Sequence, residues 1–185
     1  MVIPALASAL VFSVVGGSVA GSAAGWRSPA TRCEVMAGDL RIPPALRAVV
    51  VDLCQRSPTF RRQVGRLAEA DGLTVTLYLI GSPSASWRAQ TVITRVGGQV
   101  RSADVRLPIG EPRLVAELIA HEFEHILEQL DGVDLKRWVG RSGVHRVGAD
   151  RANAAIETER ARQVGRLVAG EYAAAAAELT AFKVR

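Results

Sequence analysis

The sequence predicts an α+β fold in which helices at both ends of the chain bracket a small, mostly antiparallel sheet. Three observations carry that expectation. Apolar residues recur at helical spacing over 41–70, 111–130 and 150–169. The stretch 73–107 between them switches to period two. The pair Gly97-Gly98 divides that stretch as a two-residue hairpin turn would.

The elements follow in order. Residues 41–70 read as two helices with a break at Ser57-Pro58; Pro43 and Pro44 suit a first turn, where the missing N–H costs nothing. Leu46, Val50 and Leu53 share one face. Ser57 can cap the second helix, in which Phe60, Val64 and Leu67 recur, and Asp71-Gly72 ends it. Residues 73–80 alternate Leu73, Val75, Leu77 and Leu79 with Thr74, Thr76 and Tyr78, which is a strand. Residues 87–96 and 99–107 form the hairpin arms. In the second arm Ala103, Val105 and Leu107 alternate with Ser102, Asp104 and Arg106, and this polar face with Pro108 marks an edge strand. A helix over 111–130 has Pro112 in its first turn and Gly132 at its end. Residues 140–148 are glycine-rich and read as a loop; 150–169 and 171–182 read as two closing helices. There is no internal repeat and no second domain.

At 185 residues, 49% hydrophobic and 22% charged, the chain is long enough for one ordinary core and is neither disordered, collagen-like nor coiled-coil. The first 26 residues carry no charged side chain, and an apolar run over 2–15 is followed by small residues. Residues 1–24 therefore read as a secretory signal peptide, with a membrane anchor as the alternative, and 25–185 as a single exported domain, periplasmic or secreted. Removing the signal leaves little room for a deep cleft. Two cysteines exclude a disulfide-dense scaffold and a four-cysteine zinc site; in an oxidising compartment Cys33 and Cys54 could close a loop of about twenty residues, worth ~3 kcal/mol. The net charge of +5 comes from dispersed arginines, with Arg61-Arg62 the only adjacent arginine pair. No aromatic stacking series accompanies them, so the reading is a solvated basic surface with no nucleic-acid partner.

Only three histidines occur, and two lie within five residues: His121-Glu122-Phe123-Glu124-His125. On a helix, positions i and i+4 share a face, so both imidazoles can reach one metal ion. From this composition the pattern is expected about 0.003 times by chance, so it is no accident of residue usage. Val115, Ile119, Phe123, Ile126 and Leu130 recur on the opposite face, so the helix buries its back and presents the motif. Glu122 can hydrogen-bond a zinc-bound water without being a ligand, and so act as general base. A catalytic zinc takes three protein ligands. Glu157 is the preferred third, set beside an apolar face of Ile156, Val164, Leu167 and Val168, with small Ala161 one turn on. Glu159 points about 200° away on a helix and is expected to meet Arg162 or Arg166 in solvent. Asp131 and His145 remain alternatives.

The motif and the following glutamate resemble zincin metallopeptidases of the gluzincin type, and the element order resembles small bacterial minimal-zincin domains. The resemblance implies Zn2+ held by His121, His125 and Glu157, Glu122 as general base, and a peptide or protein substrate. It also implies an edge strand that binds extended substrate by strand addition, here at Ser102, Ala103, Asp104, Val105 and Arg106. The chain departs from the metzincin pattern, carrying Glu128 and Asp131 where glycine and histidine belong. It departs from the thermolysin-like pattern too, because Ala161 stands where an aspartate would support a ligand histidine. No oxyanion-stabilising residue is evident beyond His145 and Tyr172. The rival reading is a catalytically inactive zinc-binding structural or interaction domain, distinguished by a closed site.

Overall fold

A computed structural model of the chain describes residues 40–81, 89–141, 143–147 and 155–183. The expected signal segment and Cys33 lie outside the described residues, as do 148–154. Strand β1 (Leu40–Arg41) leads into helices α1 (Pro44–Arg56) and α2 (Pro58–Ala68), then β2 (Thr74–Ile80), β3 (Gln90–Val96) and β4 (Gln99–Pro108). Helix α3 (Pro112–Leu130), the single turn α4 (Leu135–Trp138), the ribbon strands β5 (Val144–Val147) and β6 (Ala155–Thr158), and the long helix α5 (Glu159–Lys183) complete the order.

Local chemistry accounts for most boundaries. Ser57 ends α1 and caps α2, its hydroxyl accepting the Phe60 N–H at 3.0 Å. Gly97 and Gly98 have φ of 59° and 82°, the left-handed pair that a twist-matched hairpin needs. After α3, Val133 N–H returns to the Glu128 carbonyl at 2.9 Å, and Gly132 takes φ 80° to allow it.

The sheet order is β1-β2-β4-β3. It is mixed rather than mostly antiparallel: β2 runs parallel to both β1 and β4, and only the β3–β4 hairpin is antiparallel. Strand β4 is therefore interior, its backbone groups shared with β2 on one side and β3 on the other. Ser102, Ala103, Asp104, Val105 and Arg106 do not form an edge. The polar alternation of β4 reflects the uncovered face of the sheet. The edge beside α3 is β3.

The C-terminal third differs from expectation as well. Residues 144–147, within the expected loop, form β5, and 155–158 form β6, paired antiparallel with His145 opposite Glu157. A single helix then runs from Glu159 to Lys183 in place of two. Gly170, the expected break, lies inside it, where backbone hydrogen bonding outweighs the ~1 kcal/mol propensity cost of one glycine.

Helix α3 lies at the centre, between the sheet and helices α1, α2 and α5. Val115, Ile119, Phe123 and Ile126 are buried as expected, and Leu118, Ala120 and Leu127 are buried too. Phe123 stacks on Phe60 of α2 with ring centroids 5.5 Å apart. Of the apolar face expected beside Glu157, Val168 is fully buried while Leu167 is exposed; Ala161 and Ala169 fill the seam instead.

Candidate metal centre

The imidazoles of His121 and His125 leave α3 one turn apart and converge, their Nε2 atoms 3.2 Å from one another. Glu157 comes from β6, directly before the residue that caps α5. Its Oε1 lies 3.1 Å from His121 Nε2 and 3.8 Å from His125 Nε2. Ligands bound tetrahedrally at zinc–nitrogen distances lie roughly 3.3 Å apart, so this two-nitrogen, one-oxygen set is spaced to hold such an ion. The three donor atoms form the one cluster of metal-ligand type found among the described residues. The sequence placed Glu157 on a helix; it instead reaches the cluster from strand β6, because residues 155–158 pair with 144–147.

The elements that bring these residues together can be named. Helix α5 lies against α3 so closely that a Cβ on Gly165 would sit 3.0 Å from the Glu117 carbonyl oxygen and 3.2 Å from His121 Cβ. Thr158 begins α5, its hydroxyl accepting the Ala161 N–H at 3.0 Å. That cap fixes where β6 ends and hence where Glu157 projects.

Helix α3 carries three buried carboxylates, and each has partners, as burial of charge demands. Glu122 Oε2 accepts the Thr91 hydroxyl of β3 at 2.6 Å. Glu124 accepts Gln63 of α2 at 2.8 Å and Arg160 of α5 at 2.6 Å. Glu128 Oε2 lies 3.1 Å from His125 Nδ1 and accepts the Thr158 hydroxyl at 3.1 Å. Thr91 and Thr158 were not anticipated, and no local spacing would have found them. Glu128 was legible as a carboxylate three residues after His125.

Electrostatics follow from this packing. Burial pushes Glu122 above the ordinary carboxylate range, against the opposing pull of His125, Thr91 and His121. Burial by itself would depress His125, but its hydrogen bond to Glu128 and the nearby carboxylates of Glu157 and Glu122 outweigh it and raise the imidazole to about 10. Burial would raise Glu157; its hydrogen bond to His121 and the His125 ring beside it reverse that and lower it to about 2. Without a metal, the cluster is thus an ion pair.

The alternative ligands lie elsewhere. Asp131 is engaged by Arg66 and by Arg160, the latter at 3.2 Å. Glu159 meets Arg162 at 2.8 Å and Arg166 at 3.2 Å as expected, although the helical angle to Glu157 is not the cause, because Glu157 lies on β6 and the helix begins at Glu159. His145 is exposed and outside the cluster. Tyr172 packs on the core below Arg56, whose guanidinium sits 5.6 Å from its ring centre. Neither His145 nor Tyr172 borders the cleft beside the cluster.

That cleft has a volume of about 660 Å³, within the range of small-ligand and side-chain pockets. Glu122, His125 and Glu157 form one wall, Ala89 with β3 from Gln90 to Ile93 the second, and Leu135 of α4 with Ile156 of β6 the third. Cys54 is buried on the inner face of α1 and is not a free thiol. No helix among the described residues is long and apolar enough to cross a membrane. Comparison with family models, with curated proteins and with solved structures gave no match.

Proposed function

We propose that this chain is a zinc-dependent hydrolase of zincin type, acting as a peptidase on an exported side of the cell. The observation that carries the reading is the convergence of His121, His125 and Glu157 on one point, with Glu122 beside them facing an open cleft. A closed structural site would bury all its donors and leave no approach; His121 and Glu157 remain partly exposed.

When bound, zinc would activate a water and polarise the scissile carbonyl. The side chains of this chain do the rest. His121 and His125 present Nε2, and Glu157 presents a carboxylate held ionised by both rings. Glu122 lies along the cleft wall with Oε2 fixed by Thr91, which leaves its other oxygen to take the proton of the attacking water and pass it to the leaving amine. Its raised pKa brings it closer to the neutral range in which a general base works. An extended peptide fits along β3, whose outer edge has no partner strand among the described residues and which borders the cleft along 89–93.

The test is metal content and hydrolysis in parallel. Purified protein is expected to hold about one zinc per chain. Glu122→Gln is expected to retain the zinc and lose hydrolysis of a peptide library by at least ~100-fold. Equal hydrolysis by Glu122→Gln and wild type would sink the assignment of the base. Zinc binding with no cleavage by wild type would favour a binding domain.

A further inference from the structure

The two histidines of the cluster are not supported alike. Among the described residues His121 meets only His125 and Glu157, whereas His125 turns its second nitrogen, Nδ1, to Glu128 Oε2 at 3.1 Å. Glu128 is buried and is not one of the three clustered donors; its Oε2 meets both the His125 ring and the Thr158 hydroxyl. Thr158 is the residue directly after the third ligand, and its hydroxyl also caps α5 through Ala161 N–H. One hydroxyl thus ties the strand bearing Glu157 to the carboxylate behind His125.

We propose that Glu128 is the positioning residue of the metal centre: it accepts His125 Nδ1–H, holds the ring with Nε2 toward the ion, and is itself held by Thr158. The inference rests on the metal reading above. A neutral imidazole carries one N–H, and the partner of that N–H decides which nitrogen keeps a lone pair for metal. An anionic acceptor at Nδ1 fixes the proton there and makes Nε2 a stronger donor. Ala161 leaves α5 without a side chain for this task; Glu128 performs it from within the ligand helix, one turn past His125. The arrangement also makes the ligand set cooperative, because a shift of β6 that withdraws Glu157 would loosen the hydrogen bond that orients His125.

The test is zinc affinity by chelator competition, together with 15N-detected spectra of the histidine rings in zinc-loaded protein. Glu128→Ala and the isosteric Glu128→Gln are compared with Glu124→Gln, which removes a buried charge on the same helix that faces Gln63 and Arg160. Glu128→Ala is expected to bind zinc about 10- to 100-fold more weakly, and Glu128→Gln about 10-fold. Glu128→Ala should lose the hydrogen-bonded Nδ1–H signal of His125, Glu128→Gln should keep it shifted because a neutral carbonyl replaces the carboxylate, and Glu124→Gln keeps wild-type affinity and the wild-type signal. Wild-type affinity in a folded Glu128→Gln protein overturns the inference, as does an equal loss in Glu124→Gln. If wild type binds zinc and cleaves no peptide, the peptidase proposal fails and the role of Glu128 is still read from affinity. If wild type binds no zinc, both fall.

Discussion

At the scale of single residues, the centre is a set of paired charges whose partners come from distant parts of the chain. The hydroxyl of Thr91 reaches Glu122 from β3, 31 residues away in sequence. Thr91→Val is expected to lower kcat about 10-fold with zinc content unchanged, since it frees the base to rotate without touching a ligand; steady-state kinetics beside metal analysis checks this. In the metal-free protein, the raised value of His125 means that its ion pair stabilises fully below pH 6.5 and is lost as pH climbs toward about 10. The lowered value of Glu157 means that its contribution is complete above pH 4.5 and lost as pH falls toward about 2. Thermal melts in chelator are therefore expected to give the highest Tm between pH 4.5 and 6.5 as far as this cluster is concerned. His125→Asn should flatten the decline on the alkaline side. Zinc must displace the His125 proton, so affinity should rise by about tenfold per pH unit through the neutral range.

At the scale of elements, the seam between α3 and α5 decides where Glu157 sits relative to the two histidines. Ala161 and Val168 are fully buried along it, and Gly165 allows the closest approach. A methyl at 165 meets backbone at 3.0 Å and the Cβ of a ligand histidine at 3.2 Å, neither of which is a flexible chain end. Gly165→Ala is expected to cost about 1–3 kcal/mol by overpacking, against a gain of under ~1 kcal/mol in helix propensity. It should also weaken zinc binding by moving His121 away from Glu157. Denaturation midpoint and chelator competition measure the two effects separately. At the other end of the helical layer, Glu171 of α5 accepts from the Ser57 hydroxyl, from Thr59 N–H at 3.1 Å and from Thr59 Oγ1 at 2.7 Å. A carboxylate at the N-terminus of α2 satisfies free N–H groups and opposes the helix dipole. Ser57→Ala removes the cap and one of these contacts together, and is expected to cost about 1–2 kcal/mol by chemical denaturation.

At the scale of the whole molecule, a metal ion bound at the cluster would join the two halves of the described chain. His121 and His125 stand on the central helix, while Glu157 belongs to the C-terminal ribbon and helix. An ion held by all three would stabilise the folded state by about 2.7 kcal/mol at a free concentration one hundred times Kd. Chelation is accordingly expected to lower Tm by several degrees in wild type and to have no effect in His121→Ala, as followed by circular dichroism.

Much of this was legible in the sequence because it depends on spacing along one element. The helical face of α3, the i and i+4 histidines, the Ser57 cap, the Gly97-Gly98 turn and the outward direction of Glu159 are all set within a few residues of chain. The α+β class followed from the change of period at 73. Other features depended on which elements lie side by side. Polar alternation in 99–108 reads the same on an edge strand and on an interior strand with one uncovered face, so only the parallel pairing with β2 placed β3 at the edge. Residues 155–158 are too short for periodicity to separate a strand from the start of a helix, and the ladder to 144–147 decided it. The long-range partners of the buried carboxylates, Thr91, Gln63, Arg160 and Thr158, were likewise undetermined, since a hydrogen bond between residues 30 or more apart leaves no local pattern. The sequence by itself determined the candidate donors and the helix that carries two of them; the tertiary structure determined which glutamate lies beside them and which threonine holds Glu122. Ligand chemistry resides in residue types and local spacing, whereas ligand geometry comes from the packing of α5 against α3.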